Sequence, residues 1–468
     1  MRKIQKGAVF ISVLLAAVSL SGCSKVVPPA YQIDLEMWGI FDDAQAYKDA
    51  IAPYERLNQT HIGRIEYKKK VEENYRRDLL AAFAEGNGPD VFLVRNAWLP
   101  LVKNLIEPAP DSMVTEKEFR DTFADAAIND CVIDGKVYCM PLAMDSLALY
   151  YNKDLLNAAG ISAPPATWEE FLKDVRLLSA VDAYGNITES AVSLGTAKNI
   201  NRSTDVLLAI AMQQGLKSTR DGFYDNLAFS SAEMARATDF YAQFARTSSP
   251  YYSWNADQHY SIDTFYEGKL AMMINYSWNL STIRNKNAKL NFGVAPLPQF
   301  TGLAPSNVAN YWVLVVAKNR NAPVVAGKST TFPVDRYNDL RVHESWQFLR
   351  FLTLPHPEQK ITLRNYLDTQ YSVNADIKTD PAKAYLQATG QPAARRDLLE
   401  EEKNDAWLAP FAYGNLIART WRVGEVDQAE GALADVIESV YRGEKTTQQA
   451  LGAAANQISL LVRGGASL

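Results

Sequence analysis

Apolar and polar positions alternate with a period of two over Tyr31-Gln-Ile-Asp-Leu-Glu-Met-Trp38, which predicts a strand with one face buried. Residues 44–58 switch to helical spacing, Ile62 to Val71 reads as a second strand, and Asn74 to Glu85 as a helix stopped at Gly86-Asn-Gly88-Pro89. The uninterrupted apolar run Val91 to Val94 has the pattern of a strand buried on both faces. Thr167-Trp-Glu-Glu170 spells a capping box, followed by an apolar-periodic helix to Leu178. Leu270 to Asn275 and Tyr311 to Ala317 are further strands. Helices follow at Val426–Tyr441 and Thr446–Leu461, broken at Gly443. No stretch repeats. Strands alternating with helices over 468 residues predict two or more α/β domains, each with its own core.

The first 23 residues follow a different rule. Arg2, Lys3 and Lys6 precede Gly7 to Leu20, an uncharged and mostly apolar run of 14 residues. A bilayer needs about 20, so this is the layout of a secretory signal peptide. It ends in Leu20-Ser21-Gly22-Cys23, which resembles the lipobox of bacterial lipoproteins, where the cysteine is acylated before cleavage. Residues 1–22 are thus expected to be a lipoprotein signal peptide, Cys23 the lipidation site, and 23–30 a tether. The expected location is extracytoplasmic, with the chain held to the membrane through its acyl chains.

The other cysteines, Cys131 and Cys139, flank a hairpin pattern with Asp134-Gly135 at its turn. A disulfide is permitted outside the cytoplasm. With a two-residue turn, Cys131 opposes Tyr138 and the sulfurs face apart; a bulge or a longer loop brings them together.

A net charge of -5 argues against a nucleic-acid partner, whose phosphates call for a basic face. Catalysis leaves little trace in the sequence, although a chain with 53 acidic residues has carboxylates enough for glycoside hydrolysis. The four histidines are scattered, and His343-Glu344 lacks the second His of a zinc-protease helix. Gly327-Lys328-Ser329-Thr330 mimics the end of a P-loop, but Ala322 stands where the leading glycine belongs, so it reads as a surface loop.

Several local patterns then fall in order. Trp38 ends the first strand, and Gly86-Asn-Gly88-Pro89-Asp90-Val91 follows the second helix. Asp134-Gly135-Lys136-Val137-Tyr138 precedes Met140-Pro141-Leu142. Tyr151-Asn152-Lys153-Asp154-Leu155-Leu156 leads to Thr167-Trp168-Glu169-Glu170. Phe265-Tyr266-Glu267-Gly268-Lys269-Leu270-Ala271-Met272-Met273 runs on to Ser277-Trp278, Ala295-Pro296-Leu297-Pro298 and Arg419-Thr420-Trp421. Together they resemble family 1 of the extracellular solute-binding proteins, the maltose-binding-protein-like group, over nearly all of residues 31–465. The resemblance implies an α/β fold of the type II periplasmic-binding class, with two α/β lobes joined by a hinge of three crossover segments. Carried onto this chain, it gives lobe 1 as 31–142 and 299–372, and lobe 2 as 143–298 and 373–468. It implies a monomeric, non-enzymatic protein that binds a sugar or oligosaccharide and delivers it to the permease of an ABC importer, with no cofactor.

A sugar offers a C–H face for aromatic stacking and a hydroxyl rim for carboxylates, amides and guanidinium groups. Trp278, among polar neighbours after an apolar strand, is the leading candidate for stacking; the alternative is packing at the hinge. Trp38 lies where open α/β sheets bind ligands, or packs the first helix. Asp42 accepts from a hydroxyl or caps that helix. Arg95 and Asn96 sit in the loop after Val91–Val94. Asp145 resembles an acidic ligand contact, or else caps a helix or makes a lobe–lobe hydrogen bond. Tyr311 and Trp312 open a strand beside a crossover, and Trp421 precedes the C-terminal helices. Asn199, Asn201 and Arg202 form a polar loop able to line the cleft, whereas Asp90 is expected to orient a turn and Tyr150 to be core. Two rival readings remain: a secreted, lipid-anchored glycan hydrolase, and the same fold binding a polyamine, peptide or polyol phosphate.

Overall fold

A computed structural model describes residues 31–218, 223–318, 334–356, 360–364, 370–374, 380–423 and 425–464. The expected signal peptide, Cys23, the expected tether and Gly327–Thr330 lie outside the described residues. Alternation along Ile33–Gly39 buries Ile33, Leu35 and Met37 on one face, and the strand pairs in parallel with Ile62–Lys69 and Val91–Arg95. Trp312–Val316 joins antiparallel beside Val91–Arg95, and Met140–Pro141 closes this first sheet. A second five-stranded sheet runs Phe292–Pro296, Ala148–Asn152, Leu270–Asn275, Ile187–Val192, Ala180–Val181. Each sheet has its own apolar core. The capping box at Thr167 and Glu170 forms as its pattern predicts.

Between the sheets lies a small three-stranded one, ordered Ala418–Thr420, Asn307–Asn310, Asp145–Ser146. Each of its strands is a crossing of the chain. Asp145–Ser146 carries it from the first sheet into Ala148–Asn152, Asn307–Asn310 returns it to Trp312–Val316, and Ala418–Thr420 leads to helix Val426–Tyr441 in the second core. Asn307 ties two crossings, donating to the Leu147 carbonyl at 2.8 Å and accepting from its N–H at 3.2 Å. Helix Ala409–Ile417 passes so near that a β-carbon at Gly414 would run into Ser146 and Asn307. This is the two-lobed α/β architecture that the resemblance implied.

The lobe boundary expected at 372/373 needs correction. Ala382, Tyr385, Leu386, Leu398 and Leu399 pack into the first core, so the chain passes finally to the second lobe at 418–421. The hairpin keeps its two-residue Asp134-Gly135 turn, with both φ values positive, and Tyr138 N–H reaches the Cys131 carbonyl. The disulfide nevertheless joins Cys131 and Cys139, because Cys131 is the last residue of helix Asp125–Cys131 rather than part of the strand, so strand alternation does not fix where its side chain points.

Candidate functional site

Helix Ser203–Gln213 is mostly apolar and is buried on all sides, as a helix threading a core must be. Its first turn meets the edge of the second sheet, where Leu270–Asn275 ends. Asp205 there accepts from the Tyr276 hydroxyl at 2.9 Å and from the Asn310 amide at 3.4 Å. Burial, with the Asp205 charge beside it, holds the Tyr276 phenol well above its usual range. Trp278 stacks on Tyr276 at 4.5 Å with planes 24° apart, yet remains 40% exposed. Arg202 enters the helix in the left-handed region (φ 60°), and its guanidinium lies 5.4 Å from the Trp278 ring centroid. The preceding asparagines do other work: Asn199 donates to the carbonyls of Asn255 and Gln258, and Asn201 to the Tyr260 hydroxyl.

Asp145 does not face outward as a ligand contact would. It is buried and accepts from Ser277 N–H at 2.9 Å, Ser277 Oγ at 2.6 Å and Ser146 N–H at 2.8 Å. It therefore holds the turn that presents Trp278. Burial outweighs these bonds and pushes its pKa up to about 7.

Arg95 approaches from the first lobe. Its guanidinium binds Glu430 at 2.7 Å and lies 3.7 Å from Asp427, both on helix Val426–Tyr441 of the second lobe. Burial disfavours the guanidinium charge, but Glu430 and Asp205 more than offset it and raise its pKa. Burial likewise holds the Glu430 carboxyl above its ordinary value, against the pull of Arg95. Arg95 stands directly opposite Trp312 across an antiparallel pair, so the two share one face of the first sheet. Trp312 meets Phe41 at 5.4 Å and Trp98 at 5.2 Å, both edge to face, and Phe41 is 46% exposed.

The described geometry thus joins Trp278, Arg95 and, behind them, Asp145 with Trp312 nearby. The remaining candidates are turned to other tasks. Trp38 is buried under Lys70, whose ammonium sits 3.5 Å from its ring centroid. Asp42 accepts from the Tyr385 hydroxyl at 2.7 Å and caps nothing, the helix cap being Asp43; burial raises its pKa. Asn96 and Tyr311 both donate to Asp130 and are buried. Trp421 packs against Phe229 in the second core. Asp90 holds Glu36 N–H at 2.6 Å and Tyr150 is fully buried, as expected. Phe41, Asp205, Tyr276 and Glu430 were not anticipated. Asp205 is the one charged residue of a mostly apolar helix, a signal the sequence did offer; Glu430 looks like any other charge on an amphipathic helix.

Among the described residues no group of three or more His, Cys, Asp or Glu side chains is arranged to hold a metal ion, and no helix is long and apolar enough to cross a membrane.

A family model described as bacterial extracellular solute-binding protein matches residues 49–385. The maltodextrin-binding protein MdxE of Bacillus subtilis (strain 168) is 26% identical over 405 residues, covering 81% of this chain and 89% of that protein. The sn-glycerol-3-phosphate-binding periplasmic protein UgpB of Salmonella typhimurium is 25% identical over 414 residues, covering 85% and 84%. In fold, the chain is similar to the cyclic alpha-maltosyl-1,6-maltose binding protein from Arthrobacter globiformis, with a TM-score of 0.70 at 19% identity over 92% of this chain and 100% of that one.

Proposed function

The chain belongs to the bacterial extracellular solute-binding proteins, and on that premise we propose that it captures an uncharged oligosaccharide between its lobes and delivers it to the permease of an ABC importer. The observation carrying this reading is the Trp278–Tyr276 stack beside a charge-balanced set of hydrogen-bonding groups. Arg95 and Arg202 stand against Glu430 and Asp205. An exposed indole face is a platform for a pyranose ring. Balanced charges bind hydroxyls through strong, charge-assisted hydrogen bonds without demanding a net charge on the ligand. The name of the maltodextrin-binding relative supports the same substrate class. Catalysis has no part in this reading. The protein acts as a monomer, anchored outside the cytoplasm by acyl chains on Cys23.

A second reading has one observation in its favour. Among the described residues Arg202 has no carboxylate within ion-pair distance, so its guanidinium is available to a phosphate, in line with the name of the glycerol-phosphate-binding relative. A thermal-shift screen separates the two, because a ligand at 100 times its Kd adds about 2.7 kcal/mol to native stability. Maltotriose and longer maltodextrins are expected to raise the melting temperature, and sn-glycerol 3-phosphate and spermidine to leave it unchanged. A response to the phosphate alone would replace the first reading with the second. Release of reducing sugar from the same oligosaccharides would turn the protein into a hydrolase.

A further inference from the structure

Asp130 is a carboxylate 1% exposed at the end of helix Asp125–Cys131, and it touches neither Trp278 nor the Arg95 cluster. One of its oxygens accepts from the Tyr311 hydroxyl at 2.6 Å, from Asn96 at 3.3 Å and from Thr420 Oγ1. The other accepts from Arg422 through Nε at 3.0 Å and Nη2 at 2.8 Å, a two-pronged ion pair. These partners are not scattered. Tyr311 joins Asn307–Asn310 to Trp312–Val316, the return crossing. Thr420 ends the final crossing. Arg422 belongs by its backbone to the second lobe: its carbonyl accepts from Tyr224 N–H at 2.8 Å, and its neighbours Trp421 and Val423 lie in the second core. The adjoining Cys131–Cys139 bridge ties the helix end to its hairpin and so fixes where Asp130 stands.

We propose that Asp130 is a positioning residue that clamps two crossings and the second lobe to the first, and thereby sets the balance between open and closed lobes. Any rotation of the second lobe must carry Arg422 relative to Asp130. A buried ion pair tolerates little such movement, because each charge loses its compensation as they part. The apparent affinity for ligand then follows the closed fraction, although Asp130 makes no contact with the ligand.

The inference rests on the two-lobed fold and not on the identity of the solute. Its test therefore reads the ligand-free protein first. Spin labels at Lys48→Cys and Lys173→Cys, exposed positions on helices of opposite lobes, report the interlobe distance in the full-length mature chain carrying Cys23→Ser. Arg422→Gln removes the ion pair, and Tyr311→Phe removes one hydrogen bond while keeping the ring. Each is expected to shift or broaden the distance distribution of folded, ligand-free protein and to change the Kd for maltotriose, Arg422→Gln by about tenfold and Tyr311→Phe by less. Both variants giving the parent's distribution while keeping its circular dichroism spectrum would overturn the proposal. Should Arg422→Gln fail to fold, Tyr311→Phe decides alone. Failure of the parent to bind maltotriose would count against the oligosaccharide reading and leave the ligand-free comparison standing.

Discussion

Trp278 keeps two fifths of its surface in water while Tyr276 is fully buried beneath it, so one indole face is braced and the rest is open to solvent. Trp278→Ala removes that platform and is expected to cost about 1–3 kcal/mol of binding, roughly 5- to 150-fold in affinity by calorimetry. Unchanged affinity would take Trp278 out of the site. Asp145 behind it carries a pH prediction. Its folded pKa of about 7 stands above its ordinary 3.8, so the folded state holds the proton more tightly than the unfolded chain does. Its stabilising contribution is complete below the ordinary carboxylate range and is lost as pH rises through about 7, to a limit of about 4 kcal/mol. Glu402, pushed up to about 8 by burial, acts with the same sign. Asp145→Asn should therefore flatten, without abolishing, the fall in urea-unfolding stability between pH 4 and pH 8. A slope equal to the parent's would show that Asp145 does not titrate in this window. At this scale the sequence was legible only in part. Polar neighbours after an apolar strand marked Trp278, but nothing local shows that Trp421 and Trp38 are covered. The cover over those two comes from Phe229 and Lys70, one of them distant in the chain.

Elements were more legible, because periodicity is a local property. Leu270–Asn275 and Val426–Tyr441 have the ends their apolar patterns imply, and the capping box forms where its four residues are written. What periodicity leaves out is where one element stops and another constrains it. The Asp134-Gly135 turn was readable, but the disulfide depends on Cys131 being helical, which strand alternation alone counted against. The bridge closes a short loop, and loop-closure entropy assigns it about 2–3 kcal/mol. A Cys131→Ser, Cys139→Ser double variant should lower the urea-unfolding free energy by that amount without changing the slope. Its absence would mean that core packing alone holds the hairpin, since both sulfurs are buried.

For the whole molecule, the resemblance carried the fold while composition did not, since two α/β lobes have the same residue content as one large one. The last lobe boundary was misplaced for a related reason: Pro381–Thr389 and Arg396–Glu402 are amphipathic, and amphipathicity identifies a buried face without identifying the sheet beneath it. The anchor is a different kind of inference, because it depends on linear sequence and not on packing. Arg2, Lys3 and Lys6, an apolar run too short to span a bilayer, and Leu20-Ser21-Gly22-Cys23 together make the proposed lipoprotein signal, in which Cys23 is acylated and becomes the first residue of the mature chain; a plain signal peptide would share all of it but the role of Cys23. Each buried methylene of an acyl chain adds about 0.8 kcal/mol of membrane affinity, so two or more chains hold the protein firmly where one would let it go. Cys23→Ala removes the thiol proposed to accept them. The variant is expected to leave the membrane pellet for the soluble fraction and to move from the detergent phase to the aqueous phase in Triton X-114 partitioning, with its ligand affinity unchanged because the lobes begin beyond the tether. Continued incorporation of labelled palmitate into Cys23→Ala protein would mean that the attachment lies elsewhere.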